Sequence, residues 1–239
     1  MKENKLYKWL DNFWYHYKWI VMAAVLLLAF VAVSTVQMFT REKYDMYVMY
    51  AGPEVLATQN TAYIKRAFER IDDNDFDGDG KVNVGLRDVV LLSQEELAAA
   101  QGNGNAVDVN AAATERKLFE QEIFGGDAVI CLLSPYAYEM VHEAGGFMTL
   151  EEVFGYIPES AYDECGILLC ETDFGKYNDG LNRLPEDTLL CIRKTSTMSF
   201  LKGQSKTEKA HDYALSKFKA AIEWENAADL SKTAQTAEY

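Results

Sequence analysis

The chain has 239 residues and a formal net charge of −14 at pH 7. So acidic a protein is a poor partner for nucleic acid or for an anionic lipid surface, because phosphate groups are bound through Lys and Arg. The roughly 200 residues that follow the N-terminal segment are enough to bury one sizeable core, so we expect a single domain there.

The N-terminal region contains one uninterrupted apolar run, from Ile20 to Phe39, without a charged residue, Pro or Gly. A helix of about 20 such residues spans the roughly 30 Å hydrocarbon core of a bilayer. We therefore predict a transmembrane helix over residues 19–40. A cleaved signal peptide is the alternative, but its apolar stretch is shorter, about 7–15 residues, and its leader is short. Because 18 residues precede this span, the pattern favours an uncleaved signal anchor.

Residues 1–18 carry four Lys against two acidic residues. An excess of Lys on one side of a span predicts that this side stays in the cytoplasm, so we expect the C-terminal part outside the cell membrane. The same segment is rich in Trp, Tyr and Phe, which is typical of an aromatic belt at the lipid headgroups. An interfacial helix that docks a lipid or a partner protein is the other interpretation.

Residues 44–226 alternate between strand-like and helix-like patterns, as judged from β-branched and aromatic runs and from apolar residues at helical spacing. The predicted strands are 44–51, 82–92, 127–133, 167–170 and 188–193. The predicted helices are 58–71, a segment from 93, 111–124, 134–144, 150–154 and 206–224, with a turn at 101–105 and a loosely ordered tail at 227–239. Such alternation implies βαβ units, so the predicted class is α/β, with a mixed, mainly parallel sheet covered by helices.

Several predicted helix ends carry capping residues. Ser93 and Glu96 have the spacing of a capping box. Ser134 followed by Pro135 is typical of a helix start, and the Gly-Gly pair at 145–146 is the expected stop of the same helix.

The four cysteines have no metal-site spacing, since no CxxC pair exists and the three His are far apart. Cys131 and Cys191 lie within apolar runs and are expected to be buried thiols. Cys165 and Cys170 leave two alternatives open, a local disulfide outside the cell or two free thiols.

An acidic loop over residues 75–83 has the first nine positions of a calcium-binding loop, D-x-D-x-D-G-x-V-N. Calcium requires six to eight oxygen ligands, which carboxylates at alternate positions of a tight loop can supply. Gly80 permits the turn. The predicted ligands are the side chains of Asp75, Asp77 and Asp79, the carbonyl of Lys81, and Asn83.

The second half of that pattern is missing. Position twelve, where a bidentate carboxylate belongs, is Leu86, and the following run predicts a strand instead of a second helix. A single structural calcium site is then expected, closed by Asp88, by Asp73 or by a distant carboxylate. A solvated acidic turn without an ion is the alternative.

The C-terminal half resembles a known family. The segment 126–136, the phrase Gly146-Phe147-Met148-Thr149-Leu150, and the strand pair 166–169 and 187–192 are similar to extracellular solute-binding proteins with the type 2 periplasmic-binding fold. The resemblance implies a binding domain. Members of that family have two lobes and are considerably longer, so it implies one lobe and part of another here.

A ligand of an open α/β sheet binds beyond the carboxyl ends of the strands. This rule selects Gly52, Ser134 and Tyr136 as candidate ligand-binding residues. Each also has a purely structural interpretation: a turn for Gly52, a helix cap for Ser134 and core packing for Tyr136.

No nucleophile elbow, phosphate loop, HExxH helix or dinucleotide-binding pattern is present, so we do not expect an enzyme. Three hypotheses remain, of which the third is a hydrolase without a legible motif, because catalytic groups often converge from distant segments. The first is a single-pass membrane protein whose outer domain binds a small ligand or a protein partner. The second is a structural or assembly subunit of a membrane complex that binds no small molecule.

Overall fold

A computed structural model of the chain describes residues 5–40, 43–102, 109–195 and 203–225. The chain divides into two compact units, Met1–Lys43 and Tyr44–Tyr239. The tail predicted at 227–239 and most of the turn predicted at 101–105 lie outside the described residues.

The first unit is the helix α1, Lys5–Thr40. Its stretch Phe13–Val36 is, among the described residues, the one helix segment long and apolar enough to cross a membrane, as a membrane anchor or a signal sequence would be. The helix begins before the predicted span, so the aromatic leader is helical from Lys5 onward. Rings four residues apart stack along it, with centroids of Trp9 and Phe13 separated by 5.6 Å.

The second unit contains a five-stranded sheet in the described residues, with the strand order β2-β1-β3-β5-β4. The strands are β1 (Met46–Gly52), β2 (Val84–Val90), β3 (Ala128–Leu133), β4 (Gly166–Leu168) and β5 (Leu189–Ile192). β1 pairs in parallel with β2 and β3, whereas β5 pairs antiparallel with β3 and β4. The predicted α/β class with a mixed, helix-covered sheet is confirmed. Of these strands only β5 runs against the others.

Helices cover both faces of the sheet. They are α2 (Thr58–Glu69), α3 (Gln94–Gly102), α4 (Val109–Gly125), α5 (Pro135–His142), α6 (Leu150–Phe154), α7 (Asp173–Tyr177) and α8 (Gln204–Ile222). The capping box of Ser93 and Glu96 is confirmed, as is the Ser134 cap. The predicted strand 167–170 is wrong at its end, because residues 169–171 turn into a 3-10 helix before α7.

Alternate residues of β1 point to opposite faces of the sheet, as the period of a strand requires. Val48 and Tyr50 pack in one core with Phe218 of α8, while Met49 and Ala51 pack in the other with α4 and α5. The sheet is therefore the middle layer of three, which explains why its strands are apolar on both faces.

All four cysteines are free. Cys131 and Cys191 are fully buried on the α4–α5 side of the sheet, which confirms the expected buried thiols. A disulfide between Cys165 and Cys170 is not formed. The strand β4 lies between these two residues and rises about 3.3 Å per residue, so it carries them apart.

Candidate functional site

Backbone hydrogen bonds continue the pairing of the parallel strands at their carboxyl ends, where the ligand residues were predicted. The Ser134 amide donates to the Ala51 carbonyl over 2.8 Å, and the Leu91 amide donates to the Gly52 carbonyl over 2.8 Å. Gly52 and Ser134 thus lie together, as the strand-end rule predicted. The chain stays paired for one residue beyond the strand ends on both sides of β1.

Each of the three predicted ligand residues has a structural role. The Ser134 hydroxyl accepts from the Ala137 amide and caps α5. Tyr136 is half-buried and packs against the α4–α5 side of the core. At Gly52 a Cβ atom would lie 2.7 Å from the Tyr50 hydroxyl oxygen, so this position needs Gly for a close approach. Ligand binding by these residues stays a prediction.

The Tyr50 hydroxyl is buried at this edge and has no hydrogen-bond partner among the described residues. Burial and, to a lesser extent, the nearby carboxylates of Glu54 and Asp88 together raise its pKa to about 12. The phenol is therefore neutral at physiological pH. Since the whole Tyr50 side chain is 1 % exposed, a ligand has no direct access to it.

The opposite, amino-terminal edge of the sheet carries a cavity. In the β1–β3 pairing Tyr47 faces Ala128 while Val48 faces Ile130, so Val129 is an extra, bulged residue. A bulge bends its strand and locally interrupts pairing. The cavity of about 290 Å³ lies at this bulge, at the lower end of the roughly 300–1,000 Å³ usual for small-molecule sites.

The walls of this bulge cavity are mainly apolar, with a few polar groups. The residues lining it include the aromatic Tyr44, Tyr47 and Phe76, the carboxylates Asp45 and Asp127, and Thr207, Ala210 and His211 of α8. Apolar walls with a few fixed polar groups are typical of small-molecule sites. Sequence reasoning missed this cavity, because its residues come from separate segments and a bulge leaves no local signal in the chain.

Arg193, directly after β5, borders the cavity and is only 4 % exposed. Its guanidinium donates to the carbonyls of Glu122 (3.3 Å) and Gly126 (3.0 Å) and to that of Ile123. Glu122 and Ile123 belong to the last turn of α4, the negative end of the helix dipole, and Gly126 directly follows it. Burial lowers the pKa of Arg193, but a guanidinium starts so high that it remains charged.

Arg193 also contacts α8, because its carbonyl lies 2.8 Å from Nε2 of His211. A second cavity of about 260 Å³ lies on its other side, between α4 and α5. That cavity is predominantly apolar, lined by Phe119, Ile123, Phe124, Met140 and Val141 among others. Arg193 therefore ties three elements together between two cavities.

The acidic loop lies at the same edge and is organised by a residue that sequence reasoning missed. Asp45, buried just before β1, accepts from the Asp77 amide (3.3 Å) and the Asn83 amide (2.7 Å). Carboxylate oxygens of Asp45, Asp75 and Asp77 all lie within 4.8 Å of one another. Hydrogen bonds from backbone amides, that of Gly80 foremost, lower the pKa of Asp75.

The other predicted calcium ligands do not belong to this group of three carboxylates. The Asp79 carboxylate accepts from the Lys81 amide, and the Asn83 backbone is paired with Asp45. The suggestion that Asp88 closes the site is wrong, because Asp88 lies inside β2 opposite Tyr50, towards the other edge of the sheet. Of the three alternatives for closing the loop, the distant carboxylate is the one the geometry offers.

The start of the loop is held against α8. Lys217 is fully buried, its ammonium pairs with the Asp72 carboxylate, and it donates to the Asp72 carbonyl over 3.0 Å. The Tyr213 hydroxyl donates to the Asn74 carbonyl over 2.7 Å. The wall that the loop contributes to the bulge cavity is thus fixed from α8.

Comparison of the chain with protein-family models, curated proteins and solved structures finds no match. The resemblance to solute-binding proteins therefore stays a prediction, and the function is inferred from the site.

Substitution Lys217→Met tests the attachment of the loop. It leaves the Asp72 carboxylate without its cation, and we expect the free energy of unfolding to fall by about 2–3 kcal/mol. This is below the roughly 3–5 kcal/mol for breaking a fully buried pair, because the Asp72 side chain is 35 % exposed. Urea unfolding of the full-length protein in detergent measures the change. The control is Lys209→Met, which changes an exposed Lys on the same helix. Equal stability of the two variants would contradict the role of Lys217 in attaching the loop to α8.

Proposed function

We propose that the protein is a single-pass, membrane-anchored extracytoplasmic binding protein that is not an enzyme. The observation that carries the proposal is the bulge cavity, whose aromatic walls and enclosed polar groups have the character of a ligand site. The resemblance to solute-binding proteins points to the same function.

The anchor in this proposal is α1. Its apolar stretch Phe13–Val36 is long enough to span the bilayer, and the Lys residues of the leader favour a cytoplasmic N-terminus. The acidic unit from Tyr44 onward would then lie outside the cell, held at the membrane surface.

The cavity favours a small ligand with an apolar body and one or two hydrogen-bonding groups. Tyr47 and Phe76 offer ring faces and edges, while Asp127 is an exposed carboxylate at the start of β3. A volume of about 290 Å³ is too small for a folded partner, although a single side chain of a protein partner would fit.

The test is a thermal-shift screen of the full-length protein in detergent with amino acids, mono- and disaccharides, short peptides and aromatic amines. A compound at 100 times its Kd adds about 2.7 kcal/mol to the stability of the folded state, so a binder raises Tm measurably. Substitution Ala210→Phe fills the cavity from α8 and should abolish that shift. Lys209→Phe adds the same ring on the exposed side of the same helix and should retain it.

A screen without any shift, or a shift that survives Ala210→Phe, would refute the cavity as the binding site.

The second candidate function is that of an assembly subunit, and a screen without any shift would favour it. It is favoured by the ladder of stacked rings at Trp9, Phe13 and Tyr17, which forms a continuous aromatic face on the leader helix. Stable co-purification of a membrane protein in mild detergent, lost when these three residues are replaced by Leu, would support it.

We also infer that the acidic loop binds one calcium ion with a structural role. The support is the approach of three carboxylates, from Asp45, Asp75 and Asp77, in a loop that begins like a calcium loop. Because Asp45 and Phe76 also line the bulge cavity, an ion here would stiffen one of its walls.

Calorimetric titration of the full-length protein with calcium tests this inference. Substitution Asp77→Asn removes one of three charges, and we expect the affinity to fall by about tenfold, since ligand charge tunes calcium Kd values. Asp73→Asn changes an exposed carboxylate outside the cluster and should leave the affinity unchanged. Absence of heat at millimolar calcium would remove the site.

A further inference from the structure

A second cluster of metal-binding side chains lies away from the acidic loop, between the end of α5 and the segment that leads into β4. His142, Glu164 and Cys165 each offer one donor atom, and the three atoms lie within 4.8 Å of one another. Nε2 of His142 is 3.9 Å from Oε1 of Glu164. The cluster combines an imidazole, a carboxylate and a thiol, which come from two segments of the chain.

The two segments are held together by a carboxylate that is not one of these donors. The Tyr138 hydroxyl, one turn before His142 on α5, donates to Asp163 over 2.6 Å. The same carboxylate accepts from the amides of Cys165 and Gly166, each over 2.8 Å. The His142 ring stacks on Tyr138 with 5.3 Å between the centroids. The spacing of the donors is therefore set by contacts on both sides of the cluster.

The burial of the donors gives the cluster an inner and an outer side. Cys165 is buried, whereas the side chains of His142 and Glu164 are 37 % and 69 % exposed. An ion arriving from solvent would meet the imidazole and the carboxylate first and the sulfur behind them. Burial and, to a lesser extent, the carboxylates of Asp163 and Glu164 together raise the pKa of the Cys165 thiol to about 11.

The donor types select the metal. Calcium and magnesium take oxygen ligands, whereas sulfur, imidazole nitrogen and carboxylate oxygen together are the ligands of Zn²⁺. Bonds of about 2.0–2.3 Å in a tetrahedral site separate the donors by roughly 3.4–3.6 Å. The 3.9 Å between His142 and Glu164 exceeds this spacing by about half an ångström, and the other donor pairs, which lie within 4.8 Å, exceed it by at most about 1.4 Å. The Glu164 side chain is 69 % exposed, so it can move towards the ion.

We propose that His142, Glu164 and Cys165 bind one Zn²⁺ ion through nitrogen, oxygen and sulfur, with water in the fourth position. On binding, the Cys165 thiol loses its proton to solvent and the thiolate sulfur becomes a ligand. Oδ2 of Asp163 also lies 4.0 Å from Nε2 of His142. Because the Asp163 carboxylate already accepts from the Tyr138 hydroxyl and from the amides of Cys165 and Gly166, the proposal gives it the role of positioning Cys165 and not that of a ligand. The proposal is independent of any ligand in the bulge cavity.

The test uses the full-length protein in detergent, stripped with EDTA and kept reduced with a phosphine. Zinc is titrated in competition with a chromophoric chelator, and Co²⁺ is added separately to give the near-ultraviolet absorption of a cobalt–thiolate bond. We expect one zinc per chain and a cobalt–thiolate band. Loss of an outer-shell partner alone costs about 10–100-fold in metal affinity, so His142→Ala and Glu164→Gln should each weaken zinc by at least about tenfold.

Two cysteine variants make the assignment specific. Cys165→Ser should abolish the cobalt–thiolate band, while Cys170→Ser, five residues on in the 3-10 turn, should retain it. Glu164→Gln changes an exposed side chain, so an unchanged Tm together with a lost zinc affinity separates binding from folding. No zinc bound by the unsubstituted protein, or equal zinc affinity in Glu164→Gln, or a band that survives Cys165→Ser, would overturn the proposal.

Discussion

One buried cation, the guanidinium of Arg193, joins the elements on which the candidate site depends. It emerges at the end of β5, the strand that runs against the others, and donates to three carbonyls at the end of α4. A buried charge needs hydrogen-bond partners, and the end of α4 supplies acceptors and a favourable dipole to the two terminal nitrogens of Arg193. Its Nε is buried and has no hydrogen-bond partner among the described residues. The reversal of β5 is what brings this side chain to the amino edge of the sheet.

The bulge cavity and the acidic loop both lie at that edge. The bulge at Val129 opens the cavity, α8 closes one side of it, and Asp45 connects it to the acidic loop. At the carboxyl edge, in contrast, backbone hydrogen bonds at Ser134 and Leu91 continue the pairing of the strands. The described cavity at the bulge thus lies at the end of the strands opposite to the usual position of a ligand on an open α/β sheet.

Local signals in the sequence predicted the local structure well. The Ser134 cap and the capping box at Ser93 depend on residues three positions apart, and the α/β alternation follows from apolar periodicity. What the sequence could not show depends on register and on long-range contacts. The bulge arises from how β3 aligns with β1, Asp45 lies thirty residues before the loop it organises, and His142 approaches Cys165 only because Asp163 is bound to Tyr138.

The measurement that tests the central claim most directly is urea unfolding of full-length Arg193→Met beside the exposed-neighbour control Lys194→Met. The Met side chain fills a similar volume but leaves the carbonyls of Ile123 and Gly126 without the Arg193 donor, while the Glu122 carbonyl keeps the hydrogen bond from the Gly126 amide. We predict a loss of about 2–4 kcal/mol, since each buried acceptor left unpaired costs roughly 1–3 kcal/mol, and an unchanged stability for Lys194→Met. An Arg193→Met protein as stable as its control would contradict the role given to this residue.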